Sequence, residues 1–108
     1  MRLDCEIISQ DFLPALRSAL AKELSTGGMS QKSVADLLGI SQPAVSQYLR
    51  DLRGAKNNFI TDEELLSSLK KICEKIIAKE LDEAGLKENM YSICKMALDR
   101  KKKARSLN

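Results

Sequence analysis

Apolar residues recur every three or four positions along most of the chain, which is the spacing of amphipathic α-helices. The first stripe predicts a helix over 11–25, with Pro14 in its first turn, where the missing N–H costs nothing. Gly27 and Gly28 follow its predicted end. The stripe consists of Phe12, Leu13, Leu16, Leu20 and Leu24.

Two short helices are predicted next. Ser30 is a candidate N-cap for a helix over 31–38, and Gly39 suits the left-handed residue that ends such a helix. Ser41 is a candidate N-cap for a second helix that runs to about residue 51 or 52. The connector after it, 54–58, contains Gly and two Asn residues.

The second half of the chain predicts two longer helices. Thr61, with Glu64 three residues later, forms a capping box that opens a helix over 62–81, whose apolar face stops near Gly85. A last helix is predicted over 87–102. Its apolar face contains Met90, Ile93, Cys94, Ala97 and Leu98.

The predicted fold is therefore all-α, with about five helices and no sheet. Residues 1–56 are expected to form one helical domain, and residues 57–108 a C-terminal helical extension. Composition agrees, because aromatic residues make up only 4% of the 108 residues and Trp is missing. The chain also has no His, which removes His-based acid–base chemistry and imidazole zinc sites. Since no other catalytic arrangement is visible, we predict neither an enzyme nor a cofactor.

The segment 31–50 satisfies the steric requirements of a helix-turn-helix. Ala35 stands where the two helices approach most closely, and Gly39 stands in the turn, where a positive φ is wanted. The expected small core consists of Val34, Leu38, Ile40, Val45 and either Tyr48 or Leu49. Winged-helix proteins share part of this pattern, but the stretch 54–60 is too short for the two strands of a wing.

Polar side chains cover the outer face of the second helix. Gln can pair with adenine through two hydrogen bonds in the major groove, and Arg can bind guanine or phosphate. Ser41 and the free N–H groups at the helix start can hold a phosphate. The predicted DNA-contacting residues are Gln31, Ser41, Gln42, Ser46, Gln47, Arg50, Arg53 and Lys56.

The stretch Leu-Leu-Gly-Ile-Ser-Gln-Pro-Ala-Val-Ser-Gln-Tyr-Leu, residues 37–49, resembles the phage-repressor (Xre) type of helix-turn-helix regulator. Together with Cys5-Glu-Ile-Ile and the helix after it, it resembles a family of small, mostly archaeal predicted transcriptional regulators. The resemblance covers about residues 3–56. It implies a four- or five-helix repressor-like fold and sequence-specific binding to double-stranded DNA. Many Xre proteins have Glu soon after the aromatic residue, where this chain has Arg50 and Asp51.

The formal net charge of +3 only weakly indicates a polyanionic partner. Residues 99–108 carry five cations against one Asp, so this end either contacts phosphates or is a solvated terminus. No N-terminal apolar stretch is long enough for a signal peptide or a membrane span, and a cytoplasmic location is expected.

Assembly is predicted from the geometry of DNA recognition. One recognition helix reads only a few base pairs, so a homodimer on a palindromic site is favoured. The helices over 62–81 and 87–102 then form the dimer interface; alternatively, they only cover the helix-turn-helix core of a monomer. A different class of function is a protein-interaction module within a transcription or toxin–antitoxin complex.

Three cysteines without paired spacing, Cys5, Cys73 and Cys94, are expected to be thiols in a reducing compartment. Thiolates are common cluster ligands, so one hypothesis is a metal- or redox-sensing regulator. Cys73 and Cys94 lie on the apolar stripes of their helices, however, which favours buried, inert side chains and no metal site.

Overall fold

The computed structural model describes the backbone of residues 1–50 and 63–106 and the side chains of 1–50 and 63–103. Helices account for most of these residues. They are α1 (Asp4–Ile7), a π-helical turn (Ile8–Phe12), α2 (Leu13–Thr26), α3 (Gln31–Leu38), α4 (Gln42–Arg50), α5 (Glu63–Ile77) and α6 (Glu83–Ser106). Because α1, the π turn and α2 follow one another without a break, the described ranges hold five continuous helices and no strand. The all-α prediction is confirmed.

The first helix differs from its prediction at its start. It begins at Asp4 instead of residue 11, so Pro14 lies inside a continuous helix and not in its first turn. The ring of an internal proline clashes with the carbonyl four residues earlier, and the residue donates no N–H. The chain accommodates Pro14 by a π turn just before it, in which the N–H of Leu13 donates to the carbonyl of Ile8.

Serine side chains cap the N-termini of both short helices, as predicted. Ser30 Oγ accepts a hydrogen bond from the backbone N–H of Ser33 at 3.1 Å. Ser41 Oγ accepts one from the N–H of Ala44 at 3.2 Å. Each cap pairs an N–H that has no partner within the helix, which fixes where α3 and α4 start.

The boundary between α5 and α6 was predicted wrongly. Helix α5 ends at Ile77, four residues before the predicted end, because Lys79 adopts the left-handed conformation with φ of 59°. The N–H of Glu80 donates to the carbonyl of Lys75 at 2.9 Å, which closes a Schellman-type end. A lysine at this position gives no sequence signal for a helix stop.

Helix α6 is longer than predicted at both ends. It starts at Glu83 instead of 87 and continues to Ser106 instead of 102. Its N-cap is Asp82, whose Oδ1 accepts a hydrogen bond from the N–H of Gly85 at 2.7 Å. Gly85, predicted to end a helix, therefore lies in the first turn of the next one. The predicted cap Thr61 lies outside the described residues.

One hydrophobic core joins both halves of the chain. Helix α2 contacts α3, α4, α5 and α6, and the apolar faces of α5 and α6 are buried in the same cluster as the helix-turn-helix. The largest completely buried side chains are Leu16, Leu20, Leu24, Val34, Val45 and Cys94. Helices α5 and α6 thus pack against α2 and share one core with the helix-turn-helix within one chain.

Candidate nucleic-acid interface

The contact between α3 and α4 is built from small and branched apolar residues. Ala35 is 4% exposed, and Val34 and Val45 are completely buried. Tyr48 and Leu49 were predicted as alternatives, and both are half-buried against the same core. The sequence therefore predicted the core of this helix pair correctly.

Gly39 makes the bend between the two helices. Its φ is 68°, a left-handed conformation that strains residues with a Cβ. The following N–H, of Ile40, donates to the carbonyl of Ala35 at 3.1 Å and closes α3. The chain then needs only Ser41 before α4 begins, so the outer face of α4 is fixed relative to α3.

The outer face of α4 is polar and open to solvent. Gln42, Gln47 and Arg50 are exposed, as is the N-cap Ser41, while Ser46 is half-buried. A shallow groove on this face is lined by Gln42, Pro43, Ser46 and Arg50. Among the described residues, none forms an ion pair with Arg50. These groups are therefore available to an external partner.

One hydrogen bond connects this face to the start of α3. The Ser46 hydroxyl donates to Oε1 of Gln31 at 2.7 Å, and the contact is partly buried. Gln31 keeps its two amide N–H donors, which can bind an external acceptor. Both residues were predicted as DNA contacts, but their pairing was not, because they are 15 positions apart. The same first turn of α3 also exposes Lys32 and Ser33, which the prediction omitted.

Two predicted contacts, Arg53 and Lys56, lie outside the described residues. Six of the eight therefore have described positions, and these six are grouped on the first turn of α3 and on α4 with its N-cap. The arrangement presents amide, hydroxyl and guanidinium groups on one surface. Such groups bind base edges and phosphates.

The cations at the end of α6 have partners inside the chain. Lys102 Nζ lies 2.7 Å from Oδ2 of Asp4, and Lys101 Nζ lies 3.8 Å from Oδ2 of Asp11. Arg100 is paired with Glu64. A solvated terminus was one of the two alternatives predicted for residues 99–108, and it does not describe these three cations.

The cysteines are dispersed and two of them are buried. Cys73 and Cys94 are at most 3% exposed, whereas Cys5 is exposed. Burial raises the pKa of Cys73 to about 12 and that of Cys94 to about 11, so both are neutral thiols at neutral pH. Metals bind the thiolate, and no group of three or more His, Cys, Asp or Glu residues in the described ranges has the geometry of a metal site.

Residues 17–57 match the model of the helix-turn-helix family. This segment is similar to a helix-turn-helix of the phage-repressor (Xre) type. The match supports DNA binding by the segment and includes α3, α4 and the bend at Gly39. The predicted resemblance to this type is confirmed, while the residues before 17 and after 57 lie outside the match.

No curated protein and no solved structure gives a significant match to the chain. In the described ranges, every helix is too short or too polar to span a lipid bilayer.

Proposed function

We propose that this helix-turn-helix reads double-stranded DNA in a sequence-specific way and regulates transcription. The proposal rests on one observation: the polar face of α4 is solvent-exposed, although the opposite face is completely buried at Val45. A polar face that is held in place by a packed core and open to solvent is suited to inserting into the major groove.

Within this proposal, α4 supplies the base contacts. Among the described residues nothing pairs with the side-chain amides of Gln42 and Gln47, which can donate and accept at once, as adenine requires. Arg50, at the last position of α4, can reach a guanine or a phosphate. Ser41 uses its oxygen to cap α4, and its hydroxyl, which donates to no acceptor in the part of the chain that the structure describes, can donate to a phosphate.

Gln31 has a different role from the other glutamines. Its amide oxygen already accepts from Ser46, so the group it offers to DNA is its N–H₂. We assign it to an acceptor next to the groove, with Ser46 holding the amide in place. Arg53 and Lys56 complete the proposed set of phosphate contacts, and no wing takes part.

We further propose that the protein binds a palindromic site as a homodimer. The reason is geometric: two recognition helices about one DNA turn (roughly 34 Å) apart read enough base pairs for specificity. The buried faces of α5 and α6 are used inside one chain. The proposed interface therefore uses residues that stay exposed on these helices, including Ile77 and Tyr91.

Selection of preferred duplexes from a random pool tests these proposals together. We expect enriched sequences that contain two inverted half-sites with a constant centre-to-centre spacing of about 10 base pairs or a multiple of it. Enrichment of single half-sites, with only monomer in light scattering, would contradict the dimer alone. If no sequence is enriched at low salt and a protein partner co-purifies, the interaction-module alternative replaces DNA reading.

A further inference from the structure

We propose that cations at the end of α6 hold the N-terminal segment of the chain in place through ion pairs that salt weakens. The contacts that carry it are a set of ion pairs that we call the terminal network. It consists of Arg2, Asp4, Asp11, Lys101 and Lys102.

Two cations of α6 reach the first helix directly. Lys102 Nζ lies 2.7 Å from Asp4 Oδ2, although the two residues are 98 positions apart. The adjacent Lys101 makes the second contact, and its Nζ lies 3.8 Å from Oδ2 of Asp11. Lys101 Nζ also lies 5.7 Å from the centre of the Phe12 ring, within the range of a cation–π contact.

Arg2 is the third cation of the network, and it pairs with the same carboxylate that Lys101 faces. Its guanidinium donates to both carboxylate oxygens of Asp11, at 3.0 and 3.2 Å, and to Oε1 of Gln10 at 2.9 Å. Asp11 therefore accepts from Arg2 and faces Lys101 with the same carboxylate. Fork-shaped pairs of this kind have defined geometry as well as charge.

The segment that the network holds, residues 4–12, is continuous with α2 but joined to it through an irregular turn. The π turn over Ile8–Phe12 and the proline at position 14 interrupt the regular hydrogen bonds between α1 and α2. Ile7 and Phe12 are the buried side chains that anchor this segment in the core. Ile8 is half-buried against the same core, so the segment is attached by a few apolar side chains together with the terminal network.

Exposed ion pairs are individually weak and are screened by salt. The network side chains are between 36% and 55% exposed, so each pair contributes little to global stability. Several pairs acting on one short segment can still control how often that segment opens. We therefore expect a local effect that salt removes, instead of a change in the whole fold.

The experiment is hydrogen exchange of the full chain at low and high salt, with a pair of variants matched in charge. Lys102→Gln removes a network cation, whereas Lys103→Gln removes its exposed neighbour, which has no ion pair among the described residues. At about 0.01 M salt, we expect Lys102→Gln to speed exchange at Ile8 and Leu13 about two- to fivefold. Lys103→Gln should leave these rates unchanged, and about 1 M salt should remove the difference.

A charge reversal distinguishes the network from a general effect of tail charge. Asp4→Lys should speed the same exchange at low salt, and adding Lys102→Asp should restore the slow rate. Equal rates for Lys102→Gln and Lys103→Gln at low salt would overturn the proposal. So would faster exchange throughout α3 and α5, because it would indicate global destabilisation, or failure of the reversed pair to restore protection.

Discussion

The outer face of α4 and the end of α6 look alike in sequence and differ in the folded chain. Both are polar helix surfaces with cations that could bind phosphates. On α4, Arg50 has no ion-pair partner among the described residues, whereas Lys101 and Lys102 on α6 face carboxylates of the N-terminal segment. Whether a cation is available to DNA therefore depends on what the fold places next to it, and not on charge density along the chain.

The largest expected effect comes from the packing that holds the α4 face outward. We expect Ala35→Leu to lower the free energy of unfolding by about 1–3 kcal/mol, because the larger side chain has to separate α3 from α4. DNA affinity should fall with it. Urea unfolding followed by circular dichroism measures the stability, since the chain has no Trp.

The matched control is Ala84→Leu, in the exposed first turn of α6. Its free energy of unfolding should stay within about 0.5 kcal/mol of the unmodified chain. Equal stability of the two variants would mean that the α3–α4 contact tolerates a larger residue, and that it does not set the position of the recognition face.

The salt dependence of DNA binding compares the two regions directly. Arg50→Gln should reduce the magnitude of the slope of log K against log salt by about 0.9, the value for one lost phosphate contact. Lys102→Gln should leave the slope unchanged, because its cation is paired with Asp4. A smaller slope for Lys102→Gln would place the end of α6 on DNA; an unchanged slope for Arg50→Gln would leave Arg50 with at most a base contact.

The smallest expected effect is the pH dependence of the terminal network. The hydrogen bonds from Arg2 hold the pKa of Asp11 below its ordinary value of 3.8. A lowered folded-state pKa gives stability that is present above the ordinary value and is lost as the pH falls through the folded one. Exchange at Ile8 and Leu13 should therefore accelerate as the pH is lowered below about 4, after correction for the intrinsic rate.

Asp11→Asn should remove most of this acid dependence, while Asp36→Asn, an exposed substitution on α3 outside the described ion pairs, should preserve it. Identical acid profiles in all three proteins would show that Asp11 does not control the segment.

Features set by local chemistry were predictable from the sequence. Ser30 and Ser41 cap helices through their own hydroxyls, and Gly39 is needed because the bend requires a positive φ. Features set by distant packing were not. The helical segment before Pro14 depends on burial of Ile7 and Phe12 in the common core, which periodicity over a few residues does not indicate.

The same division applies to the candidate site. The exposed residues of α4 follow from helical spacing, so sequence alone could select them. The bond between Ser46 and Gln31 joins two helices, and the pairing of Lys102 with Asp4 joins the two ends of the chain. Neither has a local signature. A helix stop at Lys79 was missed for another reason, because lysine rarely adopts a left-handed conformation.

The most direct test of the account is base preference measured for Gln47→Ala on the selected duplex and its single-base-pair variants. If the outer face of α4 reads DNA, the variant should lose the preference at one position, worth about 1–3 kcal/mol, and keep its preferences elsewhere. Its free energy of unfolding should stay within about 0.5 kcal/mol, because the side chain is exposed. A complete and unchanged preference profile for both Gln47→Ala and Gln42→Ala would contradict DNA reading by this face.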